Sequence, residues 1–197
     1  MPRPTTVAAK LSNLRALAAV PDDQAAWALR LLASERSVRL LEAALDALAR
    51  VPVGALPPET RTTLRALYDR LDANGPRHDP GATLRAAALR LLRRVLRPAD
   101  ADILERAALT FEFQPPGREE VAAMLRATAL TALAETDDDL AASYAARLLA
   151  DAYTSPMSGE PALTAARVLA AQGHSLPLYT YALGPGPRQS EVVSECL

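Results

Sequence analysis

The chain has 197 residues, half of them apolar and 23% charged, with a formal net charge of −1. That length suffices for a substantial core, the composition excludes a disordered chain, and the near balance of charge excludes a global field toward nucleic acid or an acidic membrane. Cys196 stands alone, which rules out an intramolecular disulfide.

Ala and Leu supply most of the apolar share, aromatics make up only 4%, and Lys10 is the only lysine. Such a chain leans all-α, because Ala and Leu are strong helix formers and β-branched residues are sparse. No apolar run approaches the ~20 residues of a membrane span. The N-terminal stretch MPRPTTVAAKLSNLRALAAV lacks the clean apolar core and cleavage site of a secretory signal. A soluble cytoplasmic protein is expected, without membrane association.

Proline punctuates the pattern, since it fits the first turn of a helix and breaks the interior. Taken between prolines, the chain predicts helices at 5–20, 22–34, 36–50, 58–73, 81–97, 99–110, 117–135, 137–153, 160–172 and 175–183, with another beginning in 188–197. Cap chemistry supports several starts. Pro21-Asp22-Asp23, Pro98-Ala99-Asp100 and Thr136-Asp137-Asp138-Asp139 place carboxylates where first-turn N–H groups need acceptors. The aspartate run reads as a cap rather than a metal site. Asn74-Gly75 and Gly173 read as helix stops. Only Thr110-Phe111-Glu112-Phe113 alternates like a strand.

Four of the predicted helices share an eleven-residue pattern: LLEAALDALAR from Leu40, LRAAALRLLRR from Leu84, LRATALTALAE from Leu125 and LTAARVLAAQG from Leu163. Their starts are 44, 41 and 38 residues apart. The first column is Leu40, Leu84, Leu125 and Leu163, the fourth Ala43, Ala87, Thr128 and Ala166, and the sixth Leu45, Leu89, Leu130 and Val168. A two-helix unit of this size has too little core to persist alone, so neighbours must stack. No boundary between independent domains is evident, and residues 1–197 read as one helical-repeat domain.

These four segments, with the lead-ins Asp79-Pro80-Gly81, Pro116-Gly117-Arg118-Glu119 and Ser158-Gly159-Glu160, resemble the HEAT and armadillo superfamily of α-solenoids, especially bacterial HEAT-like repeats. The resemblance covers about residues 36–197 and leaves 1–35 as a cap or degenerate repeat. It implies a right-handed α–α superhelix of about four helical pairs, with the second helix of each pair lining a concave surface. An ordinary helical bundle is the alternative; a tetratricopeptide array, of period about 34, fits the spacing less well.

On the helix from Leu84, Arg90, Arg93, Arg94 and Arg97 project into one sector of about 100°, opposite Leu84, Ala88, Leu91 and Val95. Four guanidinium groups on one face suit carboxylates or phosphates. The matching columns of the other repeats do not carry the basic charge on: Asp46, Ala49 and a lone Arg50 precede, Thr131, Ala134 and Glu135 follow, and then Leu169, Gln172 and Gly173. A groove tracking a nucleic-acid backbone should be basic across several units. The patch therefore reads as a solvated face or a site for a protein partner.

Phe111 and Phe113, in a Pro-rich connection, either seal the stack beneath the loop or form an interaction tip. Tyr179, Tyr181 and Trp27 read as packing residues. Enzyme signatures are thin: His78 and His174 are far apart, and no nucleophile turn, phosphate-cradling loop or metal-ligand spacing is present. No cofactor or metal is expected. The expected function is a non-catalytic scaffold binding an unidentified protein through its concave face, by way of Arg90, Arg93, Arg94, Arg97, Phe111 and Phe113. The alternative implied by the resemblance is nucleic-acid binding, as in HEAT-like DNA glycosylases. Val192, Val193 and Leu197 present apolar surface seeking cover, which suggests either self-association at that end or a chain cut from something longer.

Overall fold

The computed structural model describes residues 6–116, 119–185 and 188–197. Its helices are α1 (Val7–Ala16), α2 (Pro21–Ser34), α3 (Val38–Arg50), α4 (Thr60–Asp72), α5 (Gly75–His78), α6 (Thr83–Leu92), α7 (Ala101–Ala108), α8 (Ala123–Leu133), α9 (Asp138–Leu149), α10 (Ala162–Ala171), α11 (Ser175–Leu183) and α12 (Ser190–Cys196). Between α7 and α8, strands β1 (Phe113–Gln114) and β2 (Glu119–Glu120) pair antiparallel, Phe113 opposite Glu120. The fold is all-α apart from this short hairpin.

The helices pack as consecutive hairpins, α2 with α3, α4 with α6, α7 with α8 and α9 with α10. The second helices also touch one another in succession, α3 to α6 to α8 to α10 to α12. All four copies of the eleven-residue pattern lie on these second helices. Their column-one leucines explain the stacking: Leu40, Leu84 and Leu125 are buried and Leu163 is half-buried. Alanines at Ala44, Ala88 and Ala129 are fully covered beside them, and their small side chains let neighbouring helices approach closely. The core runs from Leu14 to Cys196 as two clusters, and Tyr144 and Val168 pack against both.

The first helices are joined by polar contacts. Arg61 on α4 pairs with Asp100, which leads into α7, and Tyr144 on α9 donates to Glu105 Oε2 on α7 at 2.8 Å. Both contacts connect residues 39 positions apart, and the Arg93–Glu135 pair connects residues 42 apart. Those separations match the sequence period, as stacking of one repeat on the next requires.

Several predicted boundaries shift. The helix expected at 81–97 ends at Leu92, tightens into a 3₁₀ turn over Arg93–Val95, and is extended by Leu96. The helix expected from 117 starts at Ala123, because residues 119–120 are committed to the hairpin. The predicted start at residue 5 and the Gly117-Arg118 lead-in lie outside the described residues. Beyond Asn74 the chain makes one further helical turn, α5, instead of simply stopping. Asp137 caps α9 as anticipated, accepting from Leu140 N at 2.9 Å. Trp27 packs partly buried against the core, whereas Tyr179 is 57% exposed and is not core filling. At the C-terminal end, Val192 is fully buried and finds its cover within the chain, while Leu197 remains exposed.

Candidate functional site

Position two of the repeat holds arginine in two successive units, Arg85 on α6 and Arg126 on α8, and both side chains are buried. A buried guanidinium is tolerated only when nearly every donor is matched. Arg85 meets Glu112 at 2.6 Å, Asp79 at 3.2 Å and Asp72 at 3.2 Å. Asp79 also accepts from the backbone N–H groups of Leu84 and Arg85, both at 2.9 Å, so one carboxylate caps α6 and pairs its arginine. Burial alone would lower the Arg85 pKa; hydrogen bonds and charge from Glu112 and Asp79 outweigh it and raise the pKa above its ordinary value. Gly75 makes room for this pair, since a Cβ there would overlap Glu112 Oε1 and the Arg85 guanidinium.

Arg126 repeats the device one unit on. It meets Glu120 Oε1 at 2.7 Å and Asp151 Oδ2 at 3.1 Å, and it donates to Thr110 O at 2.9 Å. Glu120 in turn accepts from Ala122 N at 2.8 Å. The Arg126 guanidinium lies over the ring of Phe111, 4.3 Å from its centroid. One side chain thus ties the connection before α8, the hairpin and the connection after α9 into a single support.

An aromatic cluster rests on that support. Tyr153 stands edge-on to Phe111 and Phe113, with ring centroids 5.8 and 5.1 Å apart, a favoured aromatic geometry. The three rings are nevertheless 41%, 44% and 50% exposed for Phe111, Phe113 and Tyr153. Met157, further along the same connection as Tyr153, is 93% exposed. Phe111 and Phe113 are thus half exposed, Phe111 with the Arg126 guanidinium over its ring and both rings edge-on to Tyr153.

Of the four arginines of the predicted patch only Arg90 lies on α6, which ends at Leu92, and the four have different surroundings. Arg90 is exposed, in a cleft shared with Glu42 and Asp46 of α3. Arg93 pairs with Glu135 at 2.7 Å, both half exposed. Arg94 caps the C-terminus of α3, donating to the carbonyls of Leu48 at 3.0 Å, Ala49 at 3.2 Å and Val51. Arg97 is exposed and its backbone N–H donates to Asp100 at 2.8 Å. The arginines and phenylalanines also lie at opposite ends of the second-helix layer. Arg85, near the start of α6, touches the segment before α8, whereas Arg93, beyond the end of α6, touches Glu135, beyond the end of α8. The two helices consequently run parallel, with Phe111 and Phe113 near their N-terminal ends and Arg93, Arg94 and Arg97 past their C-terminal ends.

Arg85, Arg126 and Tyr153 were not singled out in the sequence. The arginines do carry a signal: Asp79–Arg85 and Glu120–Arg126 are both six residues apart and enter adjacent repeats at the same column. Tyr153 carries none, because it joins Phe111 only through packing.

Among the described residues, no three His, Cys, Asp or Glu side chains gather as a metal-ligand group, and no helix is long and apolar enough to cross a membrane. Comparison of the chain with protein-family models, curated proteins and solved structures found no match.

Proposed function

We propose that the chain is a HEAT-like right-handed α–α superhelix that serves as a non-catalytic scaffold for another protein, with Phe111, Phe113 and Tyr153 as its anchor. The superhelical reading is supported by the unbroken succession of second helices and by contacts that recur at one sequence period. The observation carrying the binding reading is the exposed aromatic cluster held by a buried, charge-matched arginine. Rigid aromatic side chains on a fixed support lose little entropy on binding and dominate interface energetics. The concave face would be the exposed side of α3, α6, α8 and α10. There Glu42 and Asp46 on α3, Arg90 on α6, and Arg167 paired with Glu195 at 3.1 Å mix both signs, which suits a protein surface better than a polyanion.

Photocrosslinking tests the anchor. With benzoylphenylalanine replacing Phe113, a discrete adduct should form in extract and fall about tenfold when Tyr153→Ser is added, with the melting temperature of the protein unchanged. Adducts no more abundant than those from a probe at Arg39 would sink the reading.

A second association, with another copy of the chain, is favoured by α11. Leu176, Tyr179 and Leu183 on this helix are 76%, 57% and 78% exposed, and Leu197 on the neighbouring end is 82% exposed. Light scattering should show a concentration-dependent dimer that Leu176→Glu with Leu183→Glu dissolves. A strict monomer at every concentration rejects this contact.

A further inference from the structure

We propose that the cleft between the α2–α3 turn and the α4–α5 corner binds an oxyanion of the phosphate class. The cleft has a volume of about 520 Å³ and is lined by Arg36, Arg70, Arg77 and His78, with Glu35 as its acidic member. Glu35 is already engaged, its Oε1 lying 2.6 Å from Lys10 Nζ. What remains is three guanidinium groups and an imidazole without a carboxylate of their own among the described residues.

The arginines that join one helical pair to the next are balanced differently. Arg61, Arg65, Arg85 and Arg126 each meet a carboxylate within 3.2 Å. Arg70 instead donates only to backbone carbonyls at the end of α2: Leu32 at 2.7 Å, Ala33 at 2.9 Å and Glu35 at 3.2 Å. Its guanidinium is fixed in place by these bonds, while Nε–H and one Nη1 hydrogen have no partner among the described residues. Burial, and then the neighbouring charge of Arg36, lower its pKa from the ordinary arginine value, as expected for cations crowded without a counter-charge. Arg36 and Arg77 are both exposed at the rim. His78, itself exposed, reaches Arg70 O through Nδ1 at 3.2 Å, a contact that requires the proton on Nδ1 because the carbonyl accepts.

A tetrahedral dianion fits this arrangement on two counts. Guanidinium forks bind phosphate oxygens through paired charge-assisted hydrogen bonds, and a compact double charge offsets several cations at once. One prearranged arginine and two exposed ones at the rim place three guanidinium groups around the same cleft. The anion is a free phosphate or a phosphoryl group carried on a peptide.

Calorimetric titration of the whole chain at low ionic strength with inorganic phosphate, a short phosphoserine peptide and its unphosphorylated twin tests this. Saturable binding of at least one phosphorylated probe, weakened about tenfold or more by Arg36→Gln with Arg77→Gln but not by Arg90→Gln, supports the site. The His78 ring resonance should move during the same titration. Affinity at least tenfold higher for the phosphopeptide than for phosphate assigns the group to a modified chain, and equal affinity assigns it to the free anion. Absence of saturable binding by both phosphorylated probes overturns the proposal, as does binding that the double variant leaves unchanged. Because both replaced residues are exposed, an unchanged melting curve will show that the double variant is folded.

Discussion

Replacing Arg126 by alanine should cost about 3–5 kcal/mol of folding stability, the largest effect of any single substitution considered for this chain. The side chain is fully buried, and its partners Glu120 and Asp151 are 3% and 5% exposed at their side chains. Truncation therefore strands two carboxylates away from water, and it removes the charged surface beneath Phe111. Leaving a buried charge unpaired costs far more than the pair itself contributes, which is why the asymmetry matters. Urea denaturation should show a lower midpoint with a similar slope. Arg126→Met combined with Glu120→Gln and Asp151→Asn should recover much of the loss, because no buried charge then lacks a partner. A midpoint for Arg126→Ala within about 0.5 kcal/mol of the parent would mean that the network is not a support.

The second large effect is expected at Asp100, and it depends on pH. This carboxylate is completely buried between α4 and α7 and accepts four hydrogen bonds. Arg61 supplies two, at 2.9 and 2.6 Å, Arg65 one at 2.7 Å, and the Arg97 backbone N–H one at 2.8 Å. Burial by itself would raise the Asp100 pKa, but the bonds from Arg61, Arg65 and Arg97 prevail and hold it below the usual carboxylate range. The folded protein thus binds this proton more weakly than the unfolded chain does. Its contribution is complete above the unfolded value of about 3.9 and is lost as pH falls through the lower folded value. Asp102, whose pKa is lowered chiefly by its hydrogen bond from Arg65, acts in the same direction.

Asp100→Asn should consequently lose about 2–3 kcal/mol at neutral pH, since Arg61 and Arg65 remain partly hydrated and are not stranded completely. Below about pH 4 the gap between variant and parent should narrow. Urea midpoints measured across that range check both claims. A gap that stays constant down to the acid limit would show that the Asp100 charge is not what the site contributes.

The degree to which this molecule could be read in advance varies by feature, and the reasons are physical. The apolar columns of the second helices were legible because burial of a helix face depends on spacing along one helix. The period was legible because stacked units must each present that same face. The shared face of Arg90, Arg93, Arg94 and Arg97 presumes an α-helix through Arg97, whereas the α-helix ends at Leu92 and a 3₁₀ turn spans Arg93–Val95. Pattern alone could not reveal that Arg94 would cap a helix whose carbonyls lie 43 to 46 residues earlier.

Phe111 and Phe113 were noticed as aromatics in a chain with few, yet their arrangement turned on Tyr153, about 40 residues later. The buried arginines were visible as matched acid–arginine spacings, but their burial was not, since arginine and carboxylate side chains are mostly exposed. Helical class, the repeat and the inward leucines are local properties, written in neighbouring side chains and the 3.6-residue turn. Which charges are sheltered, which aromatics face water and where cations collect without a counter-charge arose from contacts between units. Those contacts depend on which residues two stacked repeats bring within a few ångströms, and the spacing inside either repeat does not contain that information.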